Sequence, residues 1–287
     1  MHVIIWGGKG FIGSQIVPIL EQDGHTVTFG ESRVDDEVAV FQELDRVKPT
    51  HALSLVGRTH GEGVNTIDYL EKKGKLRENI RDNLYAPFVL AWACAKRQIH
   101  CTYIGTGCIF TQSDPLSKCY TENDDPDFFG SSYSTVKGFT DRIMRLIEND
   151  GILNVRIRMP IVGVDHPRNF ISKIVKYEKV CSIPNSMSVL PNLLPYLVDM
   201  MKTRKSGTIN LVNPGTITHN TILEKWRDKI DPAFTWKNFS IEEQNAVLAS
   251  ERSNNWLDTT KLQSWYPDVK PIEAAVDECI DQISRLV

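Results

Sequence analysis

The sequence predicts an α/β fold, an open, doubly wound parallel sheet with a smaller C-terminal cap interleaved with it. Three observations carry this. Short apolar runs alternate with helical patterns through the first half of the chain, a glycine-rich turn directly follows the first run, and the texture changes to proline-punctuated pieces after about residue 163. Strands that alternate with helices pair in parallel through right-handed crossovers and are covered on both faces. A chain of 287 residues is long enough for one large domain or two modest ones.

The elements follow in order. "VIIW" (3–6) is a strand, and "FIGSQIVPILEQ" puts Phe11, Ile12, Ile16 and Ile19 or Leu20 on one helical face, with Pro18 a candidate kink. "TVTFG" (26–30) is a second strand, "VAVFQELDRV" (38–47) a second helix and "HALSLV" (51–56) a third strand. A long helix over 76–97 leads to the fourth strand, "CTYIGTG", and a helix around 133–148 leads to "LNVRIRMP" (153–160). Beyond it, Pro184, Pro191, Pro195, Pro214, Pro232, Pro267 and Pro271 divide the chain into short pieces. Among these, "TINLV" (208–212) reads as one further strand and "IEAAVDECIDQISRL" (272–286) as a closing amphipathic helix.

Composition excludes several classes. The net charge of −3 offers no basic footprint for nucleic acid, and no apolar run approaches the ~20 residues of a membrane span. "MHVIIWGG" lacks the regions of a signal peptide and already reads as a core strand, so a cytoplasmic location is expected. Cys94, Cys101, Cys108, Cys119, Cys181 and Cys279 are scattered, with neither a CxxC pair nor a histidine at metal-ligand spacing. Disulfides and a metal site are therefore not expected.

Two motifs point to chemistry. "GGKGFIG" places Gly7, Gly10 and Gly13 between a strand and a helix, where backbone N–H groups can approach a pyrophosphate and the helix N-terminus faces the anion. In that context it marks a Rossmann-type dinucleotide site, which assigns residues 1–163 to cofactor binding and 164–287 mainly to substrate, with elements returning to the sheet. Phe11, Ile12 and Pro160 are expected beside the cofactor. The second strand ends "FGESR", offering Glu31 for an NAD ribose and Arg33 for the 2′-phosphate of NADP; the balance favours NADPH, with NADH left open.

"YSTVK" (133–137) sets Tyr133 and Lys137 one turn apart on a helix. A free tyrosine ionises near ~10, and a nearby cation brings the phenol within reach of acid–base work. The pattern resembles that of extended short-chain dehydrogenases/reductases, in which a Ser or Thr hydroxyl completes the triad, and Thr106 occupies that place. Cys108, two residues beyond Thr106, stands at the carboxyl end of a strand, where ligands bind in open α/β sheets. It reads either as a small packing residue or as a proton carrier acting at a carbon next to a ketone. Local sequence leaves both readings open.

The chain resembles the bifunctional nucleotide-rhamnose synthase/epimerase-reductases of plants and giant viruses, which are extended short-chain dehydrogenases/reductases. The resemblance rests on "GCIF" (107–110), "YSTVK", "RIRMPI" (156–161), "PRNFISKIVKYEKV" (167–180) and "IPNSMSVLPNLLP" (183–195). It continues in "NPGTITHN" (213–220), "DPAFTWKNF" (231–239) and "RSNNWLDTTKL" (252–262). It implies that UDP-4-keto-6-deoxy-glucose is epimerised at C3 and C5 by Cys108 and Lys173, then reduced at C4 by NADPH with Thr106, Tyr133 and Lys137. Asn169, Arg252 and Asn255 are expected to bind the sugar and pyrophosphate, and Asn83 to belong to the active-site helix. By analogy the protein is a homodimer working downstream of a separate 4,6-dehydratase. "LVGRTHGEGVN" (55–65) departs from the plant pattern where the cofactor-side loop passes. The rival readings are a plain nucleotide-sugar 4-ketoreductase and a catalytically silent NADP-binding regulatory subunit.

Overall fold

The computed structural model describes residues 1–111, 119–147 and 151–286. Strands β1 (His2–Trp6), β2 (Thr26–Phe29), β3 (His51–Ser54), β4 (His100–Thr106) and β5 (Ile152–Ile157) precede a short β6 (Lys179–Val180), β7 (Gly207–Asn210) and β8 (Lys237–Asn238). The helices of the first half are α1 (Gly13–Gln22), α2 (Glu37–Val47), α3 (Asp68–Glu71), α4 (Leu76–Ile80), α5 (Ala86–Lys96) and α6 (Ser132–Leu146). Those of the second half are α7 (Phe170–Ile174), α8 (Leu190–Lys202), α9 (His219–Lys229), α10 (Ile241–Val247), α11 (Thr260–Trp265) and α12 (Ile272–Ser284).

The main sheet is parallel throughout, in the order β2-β1-β3-β4-β5-β7. Because strand residues alternate between faces, β1 sends Val3 and Ile5 to one side and Ile4 and Trp6 to the other. The first side packs on Ile16 and Leu20 of α1 and Leu193 and Leu197 of α8. The second packs on Val40 and Leu44 of α2, Val89 and Leu90 of α5 and Met144 of α6. A separate apolar cluster joins α7, α9 and α12 into the cap. Chain order reverses beside β1, with β2 on one side and β3 on the other, and the carboxyl ends of these strands open a crevice there.

The expected first-half elements are present within a few residues of their predicted ends. The 76–97 helix is one helical path carrying a π turn at Arg81–Tyr85 between α4 and α5. The proline-rich second half differs from expectation. α8 runs 13 residues through Pro191 and Pro195, and α1 runs through Pro18. Pro191 sits in the first turn, where no intrahelical N–H bond is lost, and Pro195 and Pro18 face solvent, where water takes the carbonyl each leaves unbonded. Helix α9 also has no counterpart in the sequence reading. Among the described residues no helix is long and apolar enough to cross a membrane.

Candidate active site

The first turn after β1 is built by absence of side chains. Gly7 has φ +82°, and a Cβ on Gly13 would lie 2.1 Å from the carbonyl oxygen of Gly8, so α1 starts in contact with the turn. Above it lies a cleft of about 1250 Å3 whose walls include Gly7, Gly10, Phe11, Ile12, Gly13, Arg33 and Pro160. The same cleft reaches Thr106, Cys108, Tyr133, Lys137, Lys173 and Arg252. Glycines at Gly7, Gly10 and Gly13 and a helix N-terminus beneath them make a cradle that fits a dinucleotide pyrophosphate.

At the end of β2, Gly30, Ser32 and Arg33 line this cleft, whereas exposed Glu31 pairs outward with Arg46 at 3.0 Å. Arg33 is exposed and braced by Asp35 through two hydrogen bonds of 3.0 and 3.2 Å. Asn83 is fully buried in the π turn. Its amide accepts from Arg58 N at 2.8 Å and donates to Arg58 O at 2.9 Å, tying the active-site helix to the loop after β3.

Helix α6 carries Tyr133 and Lys137 into the site from a doubly capped N-terminus. Ser131 accepts from Ser134 N, and Glu71 of α3 accepts from Ser132 N and Tyr133 N at 3.0 and 3.3 Å. Further along, Asp141 binds the guanidinium of fully buried Arg156 bidentately, at 2.9 and 2.7 Å, and locks α6 to β5.

Burial dominates the electrostatics of the pair. It pushes the Tyr133 phenol well up, aided by Cys108 and opposed by a hydrogen bond with Thr106. It brings the Lys137 ammonium down to about 8, against the pull of Asp141 and Cys108. Lys137 Nζ donates to the phenol of Tyr103 and lies over that ring. The sequence expectation that Lys137 favours a Tyr133 phenolate is thus corrected: the lysine is engaged by Tyr103, and desolvation keeps the Tyr133 proton in place.

Cys108 stands on a braced loop. Its backbone N–H donates to Thr106 Oγ1 at 3.0 Å. Beneath it, the buried Arg158 guanidinium donates to the carbonyls of Gly107, Ser186 and Ser253 and to Asn185 Oδ1. Asn255 donates to Gly107 O at 2.9 Å and Phe110 O at 3.3 Å. Lys173, on α7, is half-buried and lines the same cleft, where burial and Arg168 both push its ammonium down.

Two expected binding residues do not line the cleft. Asn169 is fully buried, caps α7 through Ile171 N and donates to the carbonyls of Val162 and Val164. Asn255 is buried and occupied with the Cys108 loop. Loop closure occupies both ends of the Asn169 amide and the Nδ2 of Asn255, and neither residue lines the cleft, which corrects their assignment to substrate. Arg252 does face the cleft, paired with Asp68 at 2.6 Å. Sequence reasoning missed Glu71, Arg158 and Arg168. The last two lie within the blocks "RIRMPI" and "PRNFISKIVKYEKV" but carry no local pattern of their own.

The NAD dependent epimerase/dehydratase family matches residues 3–176, more than half of the chain. The chain belongs to this family. Within the epimerase/dehydratase family it is similar to the L780 UDP-rhamnose synthase of Acanthamoeba polyphaga mimivirus, at 52% identity over 99% of both chains and a TM-score of 0.96. It is 39% identical to a bifunctional dTDP-4-dehydrorhamnose 3,5-epimerase/dTDP-4-dehydrorhamnose reductase of Arabidopsis thaliana, over 96% of this chain and 91% of that one. A dTDP-4-dehydrorhamnose reductase of Bacillus anthracis, solved with NADP, shares the fold with a TM-score of 0.82 at 17% identity, over 100% of this chain and 99% of that one.

Proposed function

We propose that the protein converts UDP-4-keto-6-deoxy-D-glucose to UDP-β-L-rhamnose, epimerising C3 and C5 and then reducing C4 with NADPH. One observation carries the reading: a single cleft joins the glycine turn, Thr106, Tyr133 and Lys137 to Cys108 and Lys173, in a chain similar over its full length to a UDP-rhamnose synthase.

In this reading Thr106 and Tyr133 hold the C4 oxygen. Cys108 and Lys173 exchange protons with C3 and C5 from opposite faces of the sugar, the requirement for inverting a stereocentre beside a ketone. The negative charge that develops on the C4 oxygen is met by the two hydroxyl donors. Bound NADPH supplies the hydride to C4, with Gly7, Gly10 and Gly13 against its pyrophosphate, Arg33 toward its 2′-phosphate and Lys137 toward its nicotinamide ribose. Tyr133 gives its proton to the C4 oxygen. Arg252 presents a planar fork suited to the sugar-nucleotide pyrophosphate.

A homodimer is part of the proposal. It is supported by Ile80, Tyr85, Phe139 and Leu146, large apolar side chains left exposed on the adjoining α4–α5 and α6 segment.

The test is turnover of UDP-4-keto-6-deoxy-glucose with NADPH in D2O, followed by NMR of the product. Deuterium at C3 and C5 of UDP-L-rhamnose is expected. Reduction without deuterium at those carbons would reduce the proposal to a plain 4-ketoreductase, and no NADPH oxidation would overturn it.

A further inference from the structure

The sheet places Thr106 and ends there. Thr106 is opposite Ile157 in the last register of β4 on β5, and the N–H of Gly107 donates to Ile157 O at 2.9 Å. From the next peptide onward the chain has left the sheet, so Cys108 needs another support.

Arg158, directly after β5 and 1% exposed, takes over at that point. Its Nη1 donates to Gly107 O at 3.1 Å and Ser253 Oγ at 3.4 Å, and its Nη2 to Asn185 Oδ1 at 2.6 Å and Ser253 O at 3.0 Å. Its Nε donates to Ser186 O at 3.2 Å. These bonds use every N–H of the guanidinium, whose fork is planar and fixed. Every acceptor is neutral, and among the described residues Arg158 pairs with no carboxylate. The arginine therefore ties separate segments to one another and does not serve an ion pair. Gly107 makes room for it: a Cβ there would lie 2.5 Å from Leu257 Cδ1 and 3.0 Å from Arg158 Cγ.

Asn255 Nδ2 shares the Gly107 oxygen, at 2.9 Å, and reaches Phe110 O at 3.3 Å, where Ser253 Oγ also donates at 2.7 Å. The loop is thus fastened at Gly107 and Phe110, with Cys108 between them on the cleft wall. Tyr133 and Lys137 depend on other supports. Their helix is placed by Ser131, by Glu71 and by the bond between Asp141 and Arg156.

We propose that Arg158 is a positioning residue for Cys108: together with Asn255 it fixes the Gly107 carbonyl, and so sets where the thiol meets the sugar and serves the epimerising half of the reaction selectively. The inference rests on the reaction proposed above. Reacting atoms must approach within about 3–3.5 Å, and a misplacement of about 1 Å costs on the order of 10²-fold. Thr106 keeps its place in the sheet without Arg158, whereas the peptide that carries Cys108 does not.

The test compares the two half-reactions in Arg158→Met. Deuterium exchange at C3 and C5, read by NMR in D2O, should fall by about 10²-fold. Reduction of the already epimerised 4-ketosugar, read as NADPH oxidation, should fall far less. Backbone amide exchange of the protein without sugar, followed by mass spectrometry, should quicken in a peptide covering 107–111 and hold in one covering 132–146. Asn255→Ala removes one donor to Gly107 O and leaves no buried charge unpaired, so it should show the same selective loss, smaller in size. That variant decides the matter if the arginine variant does not fold. Exchange and reduction falling together would overturn the proposal, and so would amide exchange that quickens equally in both peptides. A folded Arg158→Met that exchanges at the wild-type rate would overturn it as well. A wild type that reduces without exchange overturns the epimerase reading, and the role of Arg158 with it.

Discussion

Replacing Asp141 with alanine tests what holds Tyr133 and Lys137 in place. Asp141 and Arg156 are 3% and 0% exposed, and the substitution removes both charge-assisted bonds to that guanidinium, of 2.9 and 2.7 Å. Among the described residues Arg156 would keep two backbone carbonyls, Thr121 O at 3.1 Å and Asp124 O at 3.4 Å, and the face of the Phe110 ring, 5.0 Å away. Removing one partner of a buried ion pair costs about 3–5 kcal/mol, because the other charge stays desolvated. Asn154 Nδ2 also loses its 2.8 Å acceptor but retains Thr208 Oγ1 at 3.3 Å, so its contribution is at most about 1 kcal/mol. Urea unfolding at fixed pH should therefore show a loss of about 3–5 kcal/mol. Joint replacement by Asp141→Leu and Arg156→Met should recover most of it, since no charge then remains buried. A loss under about 1.5 kcal/mol for Asp141→Ala would refute the reasoning, and so would a double variant no more stable than the single one.

Cys108→Ser should lower C3/C5 deuterium exchange by about 10²–10⁴-fold while reduction of the already epimerised 4-ketosugar persists, as NMR and NADPH oxidation would report. Lys137 is held to about 8 against an ordinary 10.5, so between those values the unfolded chain binds more protons and this group makes stability rise with pH. Urea midpoints taken across that window should climb in the wild type and flatten in Lys137→Met, and kcat/KM for reduction should fall above about pH 8 as the ammonium discharges. Arg33→Ala should raise KM for NADPH by roughly 10–100-fold, the value of lost charge-assisted bonds, and leave KM for NADH nearly unchanged in steady-state assays. Leu146→Glu with Phe139→Glu should turn the proposed dimer into a monomer by light scattering. A wild type that is itself monomeric would remove the basis for that expectation.

The parts of the site that were legible in sequence are those whose chemistry coincides with a local pattern. Gly7, Gly10 and Gly13 are read from a turn between a strand and a helix, and the structure uses them as that turn. Tyr133 and Lys137 are one helical turn apart on an element whose period is visible, and both face the cleft. Lys173 was named only through the family resemblance, since a lysine on a five-residue helix has no signature. Arg156 and Arg158 were unreadable for a different reason. They alternate with apolar residues as the solvent face of a strand would, yet both are buried against groups from distant segments, Asp141 in one case and Asn185 and Ser253 in the other. Asn169 and Asn255 show the converse error. Their place in loops suggests a ligand, whereas backbone carbonyls of the loops themselves take the Nδ2 donors of both. α8 was lost because proline is a strong breaker on average, and only the orientation of each ring shows when it is tolerated.

In the proposed reaction, the buried phenol of Tyr133 lets one cleft run two chemistries in order. Epimerisation and reduction both place negative charge on the same atom, the C4 oxygen, so a single pair of donors on Thr106 and Tyr133 serves both. A tyrosine prone to ionise would surrender its proton to the enolate and release an enol too early. Burial, and the nearby Cys108, instead push the Tyr133 phenol up, so that in the proposed reaction it would donate a hydrogen bond to the enolate and keep the proton. The alkoxide formed by hydride arrival is a far stronger base than an enolate, and only it takes the proton outright. The desolvation that makes Tyr133 a poor acid thus makes it a selective one: inversion at C3 and C5 stays reversible until reduction at C4 draws the proton and commits the sugar.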